Sequence, residues 1–319
     1  MNLIVLSRTL LGVGAAATAL AACGQAAAPH VSAMDPALRE AARSQTWMLP
    51  EAKHEDLLYV SGLIGKDAVV FVFSYPAGKE VGRLDVFAAQ LCSDPNGHVF
   101  MTQPSSTRSS STIVEYAHGG TKPIATLHDP YIGVGGCSVD PADGDLAVTN
   151  NGGNGTVLIY PHAKDAKLKV YGLPFQTQYC GYDKASNLFT IGHTSAIAFA
   201  ELPKNARSFK EIKLEKPINQ PMGVQWDGRN ITLGQGTNPQ KGNNGLIRRY
   251  MIRGLDANWV GDVRVDSTAV GFAIMGSSLI VSTTANQVDF FNYPRGGQPT
   301  AQLSVTSPGG VTVSVAPKG

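Results

Sequence analysis

LLYVSG at residues 57–62 returns as HVFMTQ (98–103), DLAVTN (145–150), NLFTIG (187–192), NITLGQ (230–235) and SLIVST (278–283). Successive copies begin 41, 47, 42, 43 and 48 residues apart. A second strand follows each copy: VVFVFSYPAG, TIVEYAHGG, TVLIYPHAK, AIAFAELPK, LIRRYMIRG and QVDFFNYPRGG. Its end is marked by Tyr75, Tyr116, Tyr160, Leu202, Tyr250 and Tyr293, at spacings of 41, 44, 42, 48 and 43. Two independent markers therefore give one period of about 44 residues, the length at which a self-similar chain builds an array of small units.

Working outward, a third strand follows, as in EVGRLDV (80–86) or KPIATL (122–127). A fourth, short one precedes a hairpin: AQLCSDPNG, GGCSVDPADG, QYCGYDKAS, GVQWDGR and GFAIMGS. Val, Ile, Tyr and Phe dominate the strands, and Gly, Pro, Asn and Asp break them. Four such strands per period is the blade of a β-propeller, and six copies make an all-β, six-bladed ring of four-stranded antiparallel blades. The first copy lacks a fourth-type strand upstream, whereas the chain ends on a spare one, GGVTVSVAPKG (309–319). The C-terminal strand is therefore expected to complete the blade that starts at Leu57 and so close the ring.

Composition agrees. Charged residues are only 16% of the chain, against 35 Gly and 19 Pro, which excludes coiled coils and long solvated helices. A hydrophobic content of 43% excludes a disordered chain. The 26 basic residues nearly balance 24 acidic ones and form no block, so a nucleic-acid binder is not expected.

The N-terminus has a different character. Arg8 precedes an uncharged stretch, Thr9 to Ala22, which has signal-peptide length and is too short to span a bilayer. It ends Leu20-Ala21-Ala22-Cys23-Gly24, which resembles the bacterial lipobox. That resemblance implies cleavage before Cys23, lipidation of its thiol, and a place in the bacterial cell envelope outside the cytoplasm. The expected organisation is a signal peptide at 1–22, a lipidated tether with a short helix (Asp35 to Arg43) at 23–46, and the propeller at 47–319. Trp47-Met48-Leu49-Pro50 is expected to pack the lead-in against the ring.

Beyond Cys23 the chain carries Cys92, Cys137 and Cys180. Three thiols cannot all pair, and each lies in an apolar strand, so they are expected to be small core residues rather than a disulfide framework. Asp94, Asp140, Asp183 and Asp227 recur before hairpins, where an Asp side chain accepts turn amides, and are read as structural. His118 and His162 occupy matching outer positions and do not suggest a shared metal.

Function on such a ring is expected at the channel mouth. The recurrent strands end there at Ser61, Gln103, Asn150, His193, Gln235 and Thr283, and the approach loops add Gln90, His128, Asp129, Tyr131, Gln178, Tyr179, Gln220 and Asp266. Neutral amides, hydroxyls and aromatics dominate, which suits a polar ligand. Gln103, Asn150, His193, Gln235, Tyr131 and Tyr179 are the expected ligand-binding residues. Two long polar loops, QPSSTRSSST (103–112) and QGTNPQKGNNG (235–245), belong to the second and fifth blades and face each other across the mouth. Neither has the Gly, Lys and Ser/Thr arrangement of a phosphate cradle, and no Gly-x-Ser-x-Gly or His-Glu-x-x-His motif occurs.

The repeat, with its Asp-Pro-x-Gly hairpin and Tyr-Pro turn, resembles NHL-type propellers and their gluconolactonase-like and streptogramin-lyase-like relatives over roughly residues 57–316. That likeness implies a divalent metal at the mouth, held by carboxylates and Asn or by His with an acidic residue. The position after the first recurrent strand, often Asp in the lactonase pattern, is Gly62 here, and the six equivalent places hold one histidine, His193, and no carboxylate. The sequence thus suggests a membrane-anchored, monomeric binding module without a cofactor, whose partner is an envelope protein or a polar ligand such as a glycan. The alternative is a metal-dependent hydrolase or lyase using His128, Asp129 and His193 with one divalent metal.

Overall fold

The computed structural model describes residues 45–105, 110–152, 154–193, 195–236, 245–265 and 267–317. The signal segment, Cys23, the short helix and Asp266 lie outside them. Six sheets, antiparallel except where Lys213–Leu214 pairs parallel with Asp256–Ala257 in blade 5, follow one another along the chain and form the six blades of a β-propeller. Blade 2 is typical: Gln90–Ser93 innermost, then Val99–Pro104, Ser111–Tyr116 and, outermost, Pro123–Asp129. Each blade takes its innermost strand from the fourth-type segment that ends the preceding repeat.

The recurrent strand sits second from the channel and is covered on both faces, which is why it reads as an unbroken apolar run rather than as an alternation. In Leu57–Ile64, Tyr59 turns toward blade 2, while Leu58 and Val60 turn toward blade 6. The apolar core is accordingly divided into clusters, each filling the gap between two neighbouring blades.

Blade 1 is closed as expected. Val311–Ser314 pairs antiparallel with the recurrent strand, Leu57 opposite Ser314 and Val60 opposite Val311. Two further bonds extend the seam: the Ser61 N–H donates to the Gly310 carbonyl, and the Gly309 N–H to the Ser61 carbonyl, both at 3.0 Å. On the outer edge Trp47–Met48 adds a fifth strand against Gly82 and Arg83, so the lead-in covers an edge that would otherwise be open. Any side chain at Gly82 would strike Met48.

The recurrent aspartates are turn residues. Asp94 accepts the N–H groups of Asn96 and His98 at 2.9 and 2.7 Å, Asp140 that of Ala142, Asp183 those of Ala185 and Asn187, and Asp227 those of Arg229 and Asn230. Gly97 in the first hairpin has φ +86°, and a Cβ there would meet the Val315 carbonyl.

One expectation is corrected. Cys92 and Cys137 form a disulfide between the innermost strands of blades 2 and 3, with 5.7 Å between their Cα atoms. An odd number of thiols excludes complete pairing but leaves room for one bridge. The two cysteines lie 45 residues apart, one repeat, so they stand at matching places on adjacent strands around the channel. Cys180, 43 residues further on, is the free and buried thiol, and its burial pushes its pKa up.

Candidate functional site: the loop face of blades 2 and 3

The hairpins between innermost and second strands point to one face of the ring. The loops between second and third strands, and the connections from one blade to the next, share the opposite face. The channel differs between the two. Toward the hairpin face it widens to about 350 Å³, rimmed by Pro95, Pro141, Trp226, Met275 and Val315. Toward the loop face it narrows to about 40 Å³ where Gln90, Tyr179, Met222, Phe272 and Val311 converge. The channel is therefore tighter at these residues than toward the hairpin face.

The residues singled out in the sequence fare differently. Asn150 is fully buried, and Gln235 is 6% exposed with its Oε1 accepting the Asn219 N–H at 3.0 Å. Thr283 is buried and donates to the Gln287 carbonyl, and Ser61 belongs to the closure seam. Gln103 is half-buried and bridges two segments: its Nε2 donates to the Phe87 carbonyl at 2.9 Å and its Oε1 accepts from Thr112 Oγ1. Tyr179 lines the pinch of the channel, where burial raises its phenol pKa. Tyr131 and His193 are exposed.

His128, Asp129 and His193 are not brought together. His128 and Asp129 are consecutive in the outermost strand of blade 2 and point to opposite sides of it, the first exposed and the second buried. His193 ends the second strand of blade 4 opposite Gln176. Among the described residues no group of three or more His, Cys, Asp or Glu converges as a metal-binding set.

Three large apolar side chains are exposed on the loop face beside blade 2. Phe87, in the connection into blade 2, is 51% exposed, and Tyr131 and Ile132, in the connection out of it, are 37% and 44% exposed. Phe87 thus precedes the first strand of blade 2, and Tyr131 and Ile132 follow its last. Pro104, Ser105, Ser110, Ser111, Ile132 and Gly133 line a cleft of about 290 Å³. Sequence reading found Tyr131 but missed Phe87 and Ile132, because an apolar residue beside a strand looks like core until the neighbouring blade is placed.

Beneath the cleft the contact between blades 2 and 3 turns polar. Asp129 Oδ1 accepts the Tyr131 N–H at 2.9 Å, but Oδ2 is buried without a hydrogen bond. Burial raises the Asp129 pKa; the Tyr131 amide, the nearby Asn150 side chain and His128 pull the other way. The Asn150 contact falls short of a well-formed hydrogen bond, since neither its Oδ1 nor its Nδ2 has a partner of normal geometry. Ser111 Oγ and Thr156 Oγ1 are likewise buried and unpartnered. Each such atom costs about 1–3 kcal/mol.

No family model matches the chain, and no curated protein matches it. Solved structures do resemble it. A protein of unknown function from Bacteroides caccae superposes with a TM-score of 0.59 at 10% identity, over 82% of this chain and 99% of that one. A protein from Lactobacillus plantarum does so with a TM-score of 0.52 at 11% identity, over 81% and 99%. At these identities the likeness shows the fold alone.

Proposed function

We propose that the chain is an exported, lipid-anchored binding module whose propeller takes a neutral polar ligand, glycan in class, on the loop face of blades 2 and 3. The observation that carries this reading is the exposure of Phe87, Tyr131 and Ile132 in the connections on either side of blade 2, Ile132 also lining the cleft beside Pro104, Ser105 and Ser110. Large apolar side chains grouped on an otherwise polar surface mark a place of contact. An exposed aromatic side chain matches a sugar ring, which has one apolar face. The Cys92–Cys137 bridge supports export, because such bonds persist in oxidising compartments, and the lipobox-like Leu20-Ala21-Ala22-Cys23 supports the anchor.

The test is a glycan array, together with envelope extracts, probed with the soluble domain and with a Phe87→Ala/Tyr131→Ala/Ile132→Ala variant. The expected result is a saturable glycan signal that falls at least tenfold in the variant and persists in Leu255→Ala/Val260→Ala, a control on the exposed edge of blade 5. A signal unchanged in the triple variant removes this surface from consideration. A protein captured in place of a glycan, and lost in the same variant, keeps the surface and changes the ligand. The hydrolase or lyase reading draws no support from His128 and His193, which belong to blades 2 and 4.

A further inference from the structure

We propose that Ser111, Asp129, Asn150 and Thr156 form an internal site for a hard, oxygen-seeking metal cation between blades 2 and 3. The register brings them together in pairs. Ser111 stands opposite Asp129 on the two outer strands of blade 2, and Asn150 stands opposite Thr156 on two strands of blade 3. Partners directly opposite in a ladder share one face, and the Asp129–Asn150 approach joins the two pairs across the gap.

Three of the four residues are at most 1% exposed, and every one has a buried polar side-chain atom without a hydrogen bond. The orphaned atoms include four oxygens: one carboxylate oxygen, one amide oxygen and two hydroxyls. This is the donor chemistry of sodium or calcium, with no sulfur or imidazole to favour a softer metal.

Charge points the same way. Among the described residues no Lys or Arg pairs with Asp129, and the adjacent His128 ring lies on the other side of the strand. A buried carboxylate needs either a proton or a positive partner. Elsewhere the gap between these blades is filled by Phe100, Ile113, Leu127, Val148 and Leu158, so the polar layer is confined to its loop-face end. Ser111, although only 1% exposed, also lines the cleft above, so the polar layer adjoins that space. The site does not depend on the glycan reading: it sits under that surface and binds whether or not a ligand is present.

The purified protein, stripped with chelator, is melted in choline, sodium and calcium chlorides at equal ionic strength. Sodium or calcium should raise the melting temperature saturably, by about 5 °C at a hundredfold excess over Kd, relative to choline. Elemental analysis then distinguishes bound calcium from sodium. Asp129→Asn should abolish the response, and Ser111→Ala should weaken it several-fold. Equal melting in all three salts overturns the proposal, as does an undiminished response in Asp129→Asn. Should that variant fail to fold, Asn150→Asp decides: a second carboxylate must shift preference toward calcium, and unchanged selectivity counts against the site.

Discussion

The Tyr293 hydroxyl donates a hydrogen bond of 2.6 Å to Asp227 Oδ2, tying the end of the third strand of blade 6 to the hairpin of blade 5. The same oxygen accepts from Arg249 Nε at 3.0 Å, and the guanidinium lies 5.8 Å from the Tyr293 ring. One carboxylate thus fixes a turn and latches two blades. Burial raises its pKa, but Tyr293, the amides of Asn230 and Arg229, and Arg249 outweigh burial and hold it below the ordinary 3.8.

Asp227→Asn should therefore cost about 1–3 kcal/mol at neutral pH. A carboxylate whose folded pKa is depressed stabilises above its unfolded value and loses that contribution as pH falls through the folded one. The gap between wild type and variant, read from denaturant melts, should be constant near pH 7 and narrow below about pH 4. A gap that widens on acidification would contradict the assignment.

Bridging Cys92 to Cys137 closes a segment with a sequence separation of 45. Its loss should lower stability by roughly 3–4 kcal/mol on the chain-entropy account. Cys92→Ser/Cys137→Ser and reduced wild type should melt together, below the oxidised protein. Alkylation of the unfolded, unreduced chain followed by peptide mass spectrometry should label Cys180 and leave Cys92 and Cys137 unlabelled.

At the seam of the ring, His118 Nδ1 and Ser314 Oγ lie 2.7 Å apart, His118 Nε2 meets the Glu55 carbonyl at 2.9 Å, and Ser314 Oγ reaches the Gly97 carbonyl at 2.5 Å. A turn of blade 2 therefore grips both chain ends of blade 1. Removing residues 310–315 should abolish a single cooperative transition, and His118→Ala should cost about 1–3 kcal/mol. A truncated protein melting within a degree of full length would refute the seam's role.

Phe87→Ala, Tyr131→Ala and Ile132→Ala should each cost about 1 kcal/mol or less, because the side chains are about half exposed and belong to no core cluster. Larger losses in thermal melts would place them in the core and weaken the case for the loop face.

The fold was legible because a ring of like blades imposes one period on strand, turn and tyrosine alike, and because a surplus strand at 309–319 has only one vacancy to fill. The site was less legible for the same reason. Asn150 and Gln235 end strands that are covered on both faces, so polarity at those positions indicates an internal layer between blades rather than a surface, and no periodicity separates the two. The Cys92–Cys137 pairing did leave a trace, a spacing equal to the repeat, which counting thiols alone does not use. His128 and Asp129 looked like one cluster because they are adjacent in sequence, whereas strand geometry sends them to opposite sides.

Because Leu57–Val60 pairs with Val311–Ser314, the first blade to leave the ribosome waits for almost the entire remaining chain before it has an inner strand. Blades 2 to 6 can each assemble from contiguous segments as they emerge. The earliest unit therefore keeps its recurrent strand without an inner partner until Val311–Ser314 is made, and an open strand edge is where a nascent chain is most exposed to wrong pairing.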